Sequence, residues 1–160
     1  MDLRAQAECW MAADPDPDTR AELQALVDSS DAAALGERFG ARLEFGTAGI
    51  RGPLGAGPAR MNRVVVRRVT AGLAARLAAD PEAAQRGVVV GHDARHKSRE
   101  FAQDTAGVLA AAGVRVHRIP GLAPTPLVVG GDLVGILGLR AEQPRAQPLT
   151  AHADGVVDTP

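Results

Sequence analysis

The sequence predicts an α/β fold, and three features predict it. A valine run between glycines, Gly87 to Gly91, has the length and composition of a buried strand. Val65, Val69, Leu73 and Leu77 recur every four residues, as on one side of a helix. A second helical stretch leads into "VRVHRI", Val114 to Ile119, which alternates as a strand does. Strands separated by helices give a sheet layered against crossover helices.

In chain order, Leu3 to Ala13 reads as a short helix, and "DPDPDT" breaks it because proline cannot continue a helix. Asp18 or Thr19 is expected to cap a second helix over "RAELQALV", and "AAALGERF" follows Asp31 as a third. "RLEF", Arg42 to Phe45, is a short strand candidate leading into a glycine-rich loop. Asn62 is placed to cap the long helix, which runs through Val64 to Val66 and ends near "DPE" at Asp80. Ser98 is expected to cap a helix with Phe101, Thr105, Val108 and Ala112 on one face and Gly113 just past its end. "APTP" reads as a rigid turn. Beyond Val129 neither helical nor strand period is sustained, so no structure is assigned there. The expected organisation is a helical segment over 1–42, an α/β core over 43–129 and an aperiodic tail over 130–160.

Composition narrows the classes. Aromatic residues are 2% of the chain, so the core must rest on Val, Leu, Ile and Ala. A formal net charge of -1 gives no basis for a nucleic-acid or membrane surface. One cysteine, Cys9, excludes an internal disulfide and fits a cytoplasmic location. No signal peptide is visible, and Leu127 to Leu139 is too short to span a bilayer and contains Asp132.

Two clusters carry chemistry. In "FGTAGIRG", Gly46 and Gly49 can take positive φ and leave backbone N–H groups uncovered, which forms an anion nest. Thr47 adds a hydroxyl, and Arg51 a fork that matches phosphate oxygens and never loses its charge. On glycine content alone, a tight hairpin turn with an exposed arginine is the favoured alternative, because most glycine clusters are turns. The neighbouring "GPLGAG" has the wrong glycine order for a dinucleotide fingerprint. The second cluster, "GHDARHKSRE", follows a strand and precedes a helix, where ligands gather in α/β sheets. Asp93 can pair with Arg95 or orient it toward an anion, and Lys97 and Arg99 add positive charge at a helix start. A solvated capping loop is the alternative. His92 and His96 mimic a zinc-binding spacing, but that chemistry needs both on one helix face, and His92 directly follows a strand. No serine, threonine or cysteine has a visible activating neighbour.

Five segments in this order, "WMAADPDPDTRAEL", "RFGARLEFGTAGIRG", "GVVVGHDARHKSREFA", "AAGVRVHRIPG" and "PTPLVV", resemble the start of the α-D-phosphohexomutase family, the bacterial phosphoglucomutases and phosphomannomutases. The resemblance covers the chain to about Val129. It implies a three-layer α/β/α mixed sheet, the first of four domains in that family, here incomplete at its C-terminal end. It also implies an isomerase that moves a phosphoryl group between a phosphoserine and a sugar phosphate, with magnesium at the phosphoserine. By the resemblance Gly46, Thr47, Gly49 and Arg51 bind phosphate, and Asp93 and Arg95 support the pocket.

The chain departs from the family after "PTP". Where relatives carry a Thr-Ala-Ser-His-Asn-Pro loop with the carrier serine, Leu149 to Gly155 reads "LTAHADG". No catalytic residue and no metal ligand is therefore assigned, and magnesium is expected of the full-length family and not of these residues. The expectation is a truncated domain I without mutase activity, a change of reading frame after Val129 being one account. Its expected ligand is a sugar phosphate, bound weakly or not at all, with the downstream domains as a separate partner chain. The alternative is a non-catalytic phosphate-ester-binding or scaffold fragment.

Overall fold

The computed structural model describes residues 2–46 and 49–122. Three helices open the chain: α1 (Leu3–Ala13), α2 (Pro17–Asp28) and α3 (Ala32–Phe39). α1 spans the predicted residues. α2 starts earlier than expected, because Asp16 accepts the Asp18 N–H and Pro17 takes the first turn, where a missing N–H costs nothing. Thr19 does not cap; its hydroxyl donates to Asp14 Oδ2 at 2.7 Å. Asp31 caps α3 as predicted, accepting from the Ala34 N–H. Ala7, Trp10, Leu23, Val27 and Leu35 pack with Ala56 and Val64 into a first core. Trp10 meets Phe39 edge-on at 6.0 Å and carries the Arg68 guanidinium 4.6 Å from its ring centroid.

The predicted "RLEF" strand shrinks to its end. β1 (Phe45–Gly46) pairs antiparallel with β2 (Gly49–Ile50), Phe45 opposite Ile50. The residues before it leave the ladder because the Leu43 N–H donates to the Pro58 carbonyl. The following loop is tied back to the helices. The Ala56 N–H donates to Glu22 Oε2 at 2.9 Å, and the Ala59 N–H to the Arg38 carbonyl. Gly57 is required here: its φ is 91°, and a Cβ would sit 2.8 Å from the Arg38 carbonyl oxygen. Buried Asn62 closes the loop by donating to the carbonyls of Gly55, Gly57 and Arg60.

Asn62 also caps α4 (Arg63–Ala78), accepting from the Val65 N–H. The "DPE" segment does more than end α4. Asp80 caps a further short helix, α5 (Pro81–Arg86), through the N–H groups of Glu82 and Ala83. β3 (Val88–His92), α6 (Ser98–Ala111) and β4 (Val116–Leu122) complete the described order, and β3 and β4 pair in parallel with Val88 opposite Val116. The α/β class is thus observed, as two two-stranded sheets among the described residues. No helix among them is long and apolar enough to cross a membrane. The expected "APTP" turn and the tail lie outside the described residues.

Two predicted helix faces need correction. On α4, Val69 is 36% exposed, while Val64, Thr70 and Ala74 are buried. A four-residue repeat drifts around a helix of 3.6 residues per turn. Val65 therefore packs on the first core, Leu73 and Leu77 on a second formed by Ala74, Val88, Val90, Ala102, Leu109 and Val114, and Val69 falls between. On α6 the buried line is Ala102, Thr105 and Leu109, with Ala112 exposed. What turns α6 is polar. Asp104, with a side chain 4% exposed, accepts a bidentate pair from Arg63 (2.6 and 2.9 Å) and two bonds from Arg67 on the single oxygen Oδ1 (2.8 and 2.6 Å).

Burial pushes the Asp104 carboxyl up, but the bonds from both arginines outweigh it and hold it below the usual carboxylate range. Such a group contributes stability that is present above the ordinary value of 3.8 and lost as pH falls through its lowered folded value. Asp104→Ala should lose about 2–3 kcal/mol near neutral pH, since the two arginines lose a shared carboxylate but reach water. Urea unfolding at stepped pH checks both points, because the gap between the two proteins should narrow on acidification below the ordinary aspartate value.

Candidate functional site

The loop between β3 and α6 is built by its own side chains. The Asp93 carboxylate accepts from the Arg95 backbone N–H at 3.1 Å and from Arg95 Nε at 2.6 Å. The Asp93 N–H donates to Ser98 Oγ at 3.2 Å. Burial pushes the Asp93 carboxyl up, and the Arg95 bonds overcome it, leaving the carboxyl below its usual range. Arg95 itself is 81% exposed, so its guanidinium is oriented by Asp93 without being withdrawn from solvent. Asp93 and Arg95 thus pair as one of the two expected arrangements.

Ser98 does not cap α6. Lys97 occupies the position before the helix with φ 61°, Ser98 is already helical, and its hydroxyl serves the loop. Lys97 is also no free cation. Its Nζ lies 2.9 Å from Asp16 Oδ2 and 2.7 Å from Asp18 Oδ2, both at the start of α2. The hydrogen bonds to Asp18 and Asp16 raise the Lys97 ammonium above its ordinary value, and the Lys97 bond lowers Asp18. His92 ends a strand and His96 lies in a turn, so the pair does not share a helix face and the zinc geometry fails.

A cavity of about 740 Å³ opens over this loop, lined by His92, Asp93, Arg95, Arg99, Glu100 and Arg118 together with the Ile119–Leu122 end of β4. Gly46, Gly49 and Arg51 are not among its lining residues. Sequence reasoning missed Arg118; its place beside the loop follows from the parallel register, which sets Val90 opposite Arg118.

The glycine cluster forms the β1–β2 hairpin. Gly49 has φ 90°, as a nest requires, whereas Gly46 lies in β1 without positive φ. Arg51 directly follows β2, is exposed, and has no ion pair among the described residues. Thr47 lies outside the described residues, as do the residues of the "LTAHADG" stretch. The described carboxylates do not fit the magnesium that the resemblance implies. Asp93 is held by Arg95, Asp16 and Asp18 by Lys97 and Asp104 by two arginines, and among the described residues no three metal-ligating side chains converge.

A model of phosphoglucomutase/phosphomannomutase, alpha/beta/alpha domain I, matches residues 42–129. A probable phosphoribomutase of Schizosaccharomyces pombe is 42% identical over 127 residues, covering 79% of this chain and 22% of that protein. Phosphopentomutase of Mus musculus is 37% identical over 137 residues, covering 80% and 22%. A Staphylococcus haemolyticus phosphoglucomutase is 35% identical over 101 residues, covering 63% and 18%. The chain thus spans about a fifth of the length of these relatives. No solved structure matches.

The loop chemistry yields a direct test. In Arg95→Ala the Asp93 carboxyl should titrate higher than in the wild type, because the guanidinium bond and charge are lost and only the residue-95 backbone N–H and Ser98 still oppose burial. Carboxyl-carbon NMR titration of the two proteins measures this, and equal values would remove Arg95 as the partner that fixes Asp93.

Proposed function

The chain belongs to the phosphoglucomutase/phosphomannomutase family, and on that premise we propose that it supplies the phosphate-side wall of a sugar-phosphate mutase site. The observation that carries this reading is the β1–β2 hairpin. It lies inside the matched region, carries Gly49 at φ 90°, and leaves Arg51 exposed beside it without a described carboxylate. Phosphoryl transfer depends on positioning and on neutralising phosphate charge. Arg51 offers that charge, Gly49 has the backbone conformation of a nest, and Gly46 and Thr47 are read as donors from the family resemblance alone. Asp93 and Arg95 line a cavity that Gly46, Gly49 and Arg51 do not line, and they are read as supporting the phosphate site from the family resemblance, with Arg95 held in one orientation by its carboxylate. The names phosphoribomutase and phosphopentomutase among the relatives make a pentose phosphate the first substrate to test, with glucose phosphate the second.

We further propose that these 160 residues bind a sugar phosphate without turning it over. The support is the serine inventory, which holds only Ser29, Ser30 and Ser98. Ser29 donates to the Leu26 carbonyl, Ser30 follows it between α2 and α3, and Ser98 accepts from the Asp93 N–H. None stands in a Ser-His-Asn-Pro setting. A polypeptide carrying such a loop is the partner that this reading calls for. The non-catalytic alternative, phosphate-ester binding as the whole role, shares the binding step and differs in needing no partner.

Calorimetry with ribose 5-phosphate and glucose 6-phosphate, beside a coupled mutase assay, tests the proposal. Binding should weaken by about tenfold in Arg51→Ala, the scale of one lost charge-assisted bond. The assay should show no turnover by the purified chain. Binding indifferent to Arg51→Ala sinks the cradle, and turnover sinks the claim of inactivity.

A further inference from the structure

We propose that Lys97 is a positioning residue through which the N-terminal helices set the geometry of the candidate site. The proposal rests on the functional reading of the Asp93–Ser98 loop and extends it to residues outside the family match, since α2 precedes residue 42.

Four observations carry it. Lys97 Nζ bonds to Asp16 and Asp18 across more than seventy residues of sequence, at 3.1 Å to Asp16 Oδ1 and 2.7 Å to Asp18 Oδ2. The Lys97–Asp16 bond is no surface contact, since the Lys97 side chain is 17% exposed and that of Asp16 is buried, while Asp18 meets the ammonium from the solvent side. The Asp16 end is itself built: its N–H donates to Asp14 Oδ1 at 2.9 Å, and Thr19 holds Asp14 Oδ2 at 2.7 Å. Finally, Lys97 sits at φ 61°, a left-handed conformation that a side chain disfavours and that glycine would adopt freely. A lysine kept there is explained by its ammonium and not by its backbone. The loop it closes contains both the Asp93–Arg95 pair and the Ser98 acceptor of the Asp93 N–H. Clamping Lys97 therefore fixes the far end of the segment that orients Arg95. It also withholds from any bound anion a cation that would otherwise lie beside the α6 N-terminus.

The double substitution Asp16→Asn with Asp18→Asn removes both charges from the clamp, leaving Lys97 at most a weaker bond to an amide oxygen, and keeps the α2 cap, because asparagine caps as well as aspartate. Lys97→Gly removes the clamp while easing the backbone. Two measurements read the outcome on the full chain: nitrogen-15 relaxation of the Ala94–His96 amides, and calorimetry with ribose 5-phosphate. In both variants those amides should become mobile while α6 stays ordered, and affinity should fall by about tenfold, as loss of orientation predicts. Asp18→Asn alone, a milder exposed change, should give the same loop effect in part. The proposal is overturned if the amides keep their wild-type order in all three variants. It is also overturned if the double variant binds ribose 5-phosphate more tightly, because the freed Lys97 would then be a ligand and not a positioner. If the wild-type chain binds no sugar phosphate, the functional reading fails by itself. The amide order then decides this inference alone, loss supporting it and retention overturning it.

Discussion

The Asp104 carboxylate is the constraint around which the described layer is assembled. It sits on α6 nearly without solvent, and a buried carboxylate survives only with partners of opposite charge. Arg63 and Arg67 stand one helical turn apart on α4, and both forks close on it. Directional bonds of this kind fix what apolar contact leaves loose, namely the rotation and axial register of α6 against α4. Below the ion cluster Thr70 and Thr105 meet at 3.5 Å, and Ala74 and Leu109 continue the seam into the second core. α6 is also the crossover between β3 and β4, so the register set by Asp104 passes to both strands and to the loop that joins β3 to α6.

α4 has a second duty that follows from its own geometry. Its start, through Val64 and Val65, belongs to the core built by the three N-terminal helices, and its end, through Leu73 and Leu77, belongs to the core under β3 and β4. One rigid helix thus joins two apolar clusters, each too small to stand as a domain. Asn62 at its start gathers the glycine-rich loop that leads back to the β1–β2 hairpin. Lys97 adds a third tie between the two halves at the opposite loop. Both candidate loops are therefore anchored to the N-terminal helices, although the family match begins after them.

Legibility followed the range of the forces. Asp31 and Asn62 were readable as caps because a cap acts over three residues of sequence. The valine strand was readable because burial on both faces leaves a run without polar residues. The start of α2 differs from the expected Asp18 or Thr19 because both are capping residue types, whereas Asp16 caps with Pro17 accepted in the first turn. The α4 stripe drifts because a four-residue repeat does not match the helical turn, and Val69 falls between the two cores. The α6 face differs for a longer-range reason, since its apolar stripe is overruled by an aspartate bound to arginines 41 and 37 residues away. Likewise, nothing local in "ARHKSRE" shows that Lys97 is already bound to α2, so it read as one cation among several.

That last point decides how the site's positive charge is to be counted. An anion responds to cations that are unpaired at the moment it arrives, not to a tally of arginine and lysine. Lys97 is held by two carboxylates, and Arg63 and Arg67 by a buried one. Arg95 shares its Nε with Asp93 yet keeps most of its guanidinium in solvent, and Arg51 has no described carboxylate at all. The carboxylates thus sort the described cations into those that shape the fold and those that stay in solvent. The glycine hairpin gains its meaning from the same sorting. A hairpin and the proposed phosphate cradle are not rival descriptions of "FGTAGIRG", because the strand pairing that brings Gly46 opposite Gly49 also sets Arg51, with no carboxylate partner among the described residues, directly after β2.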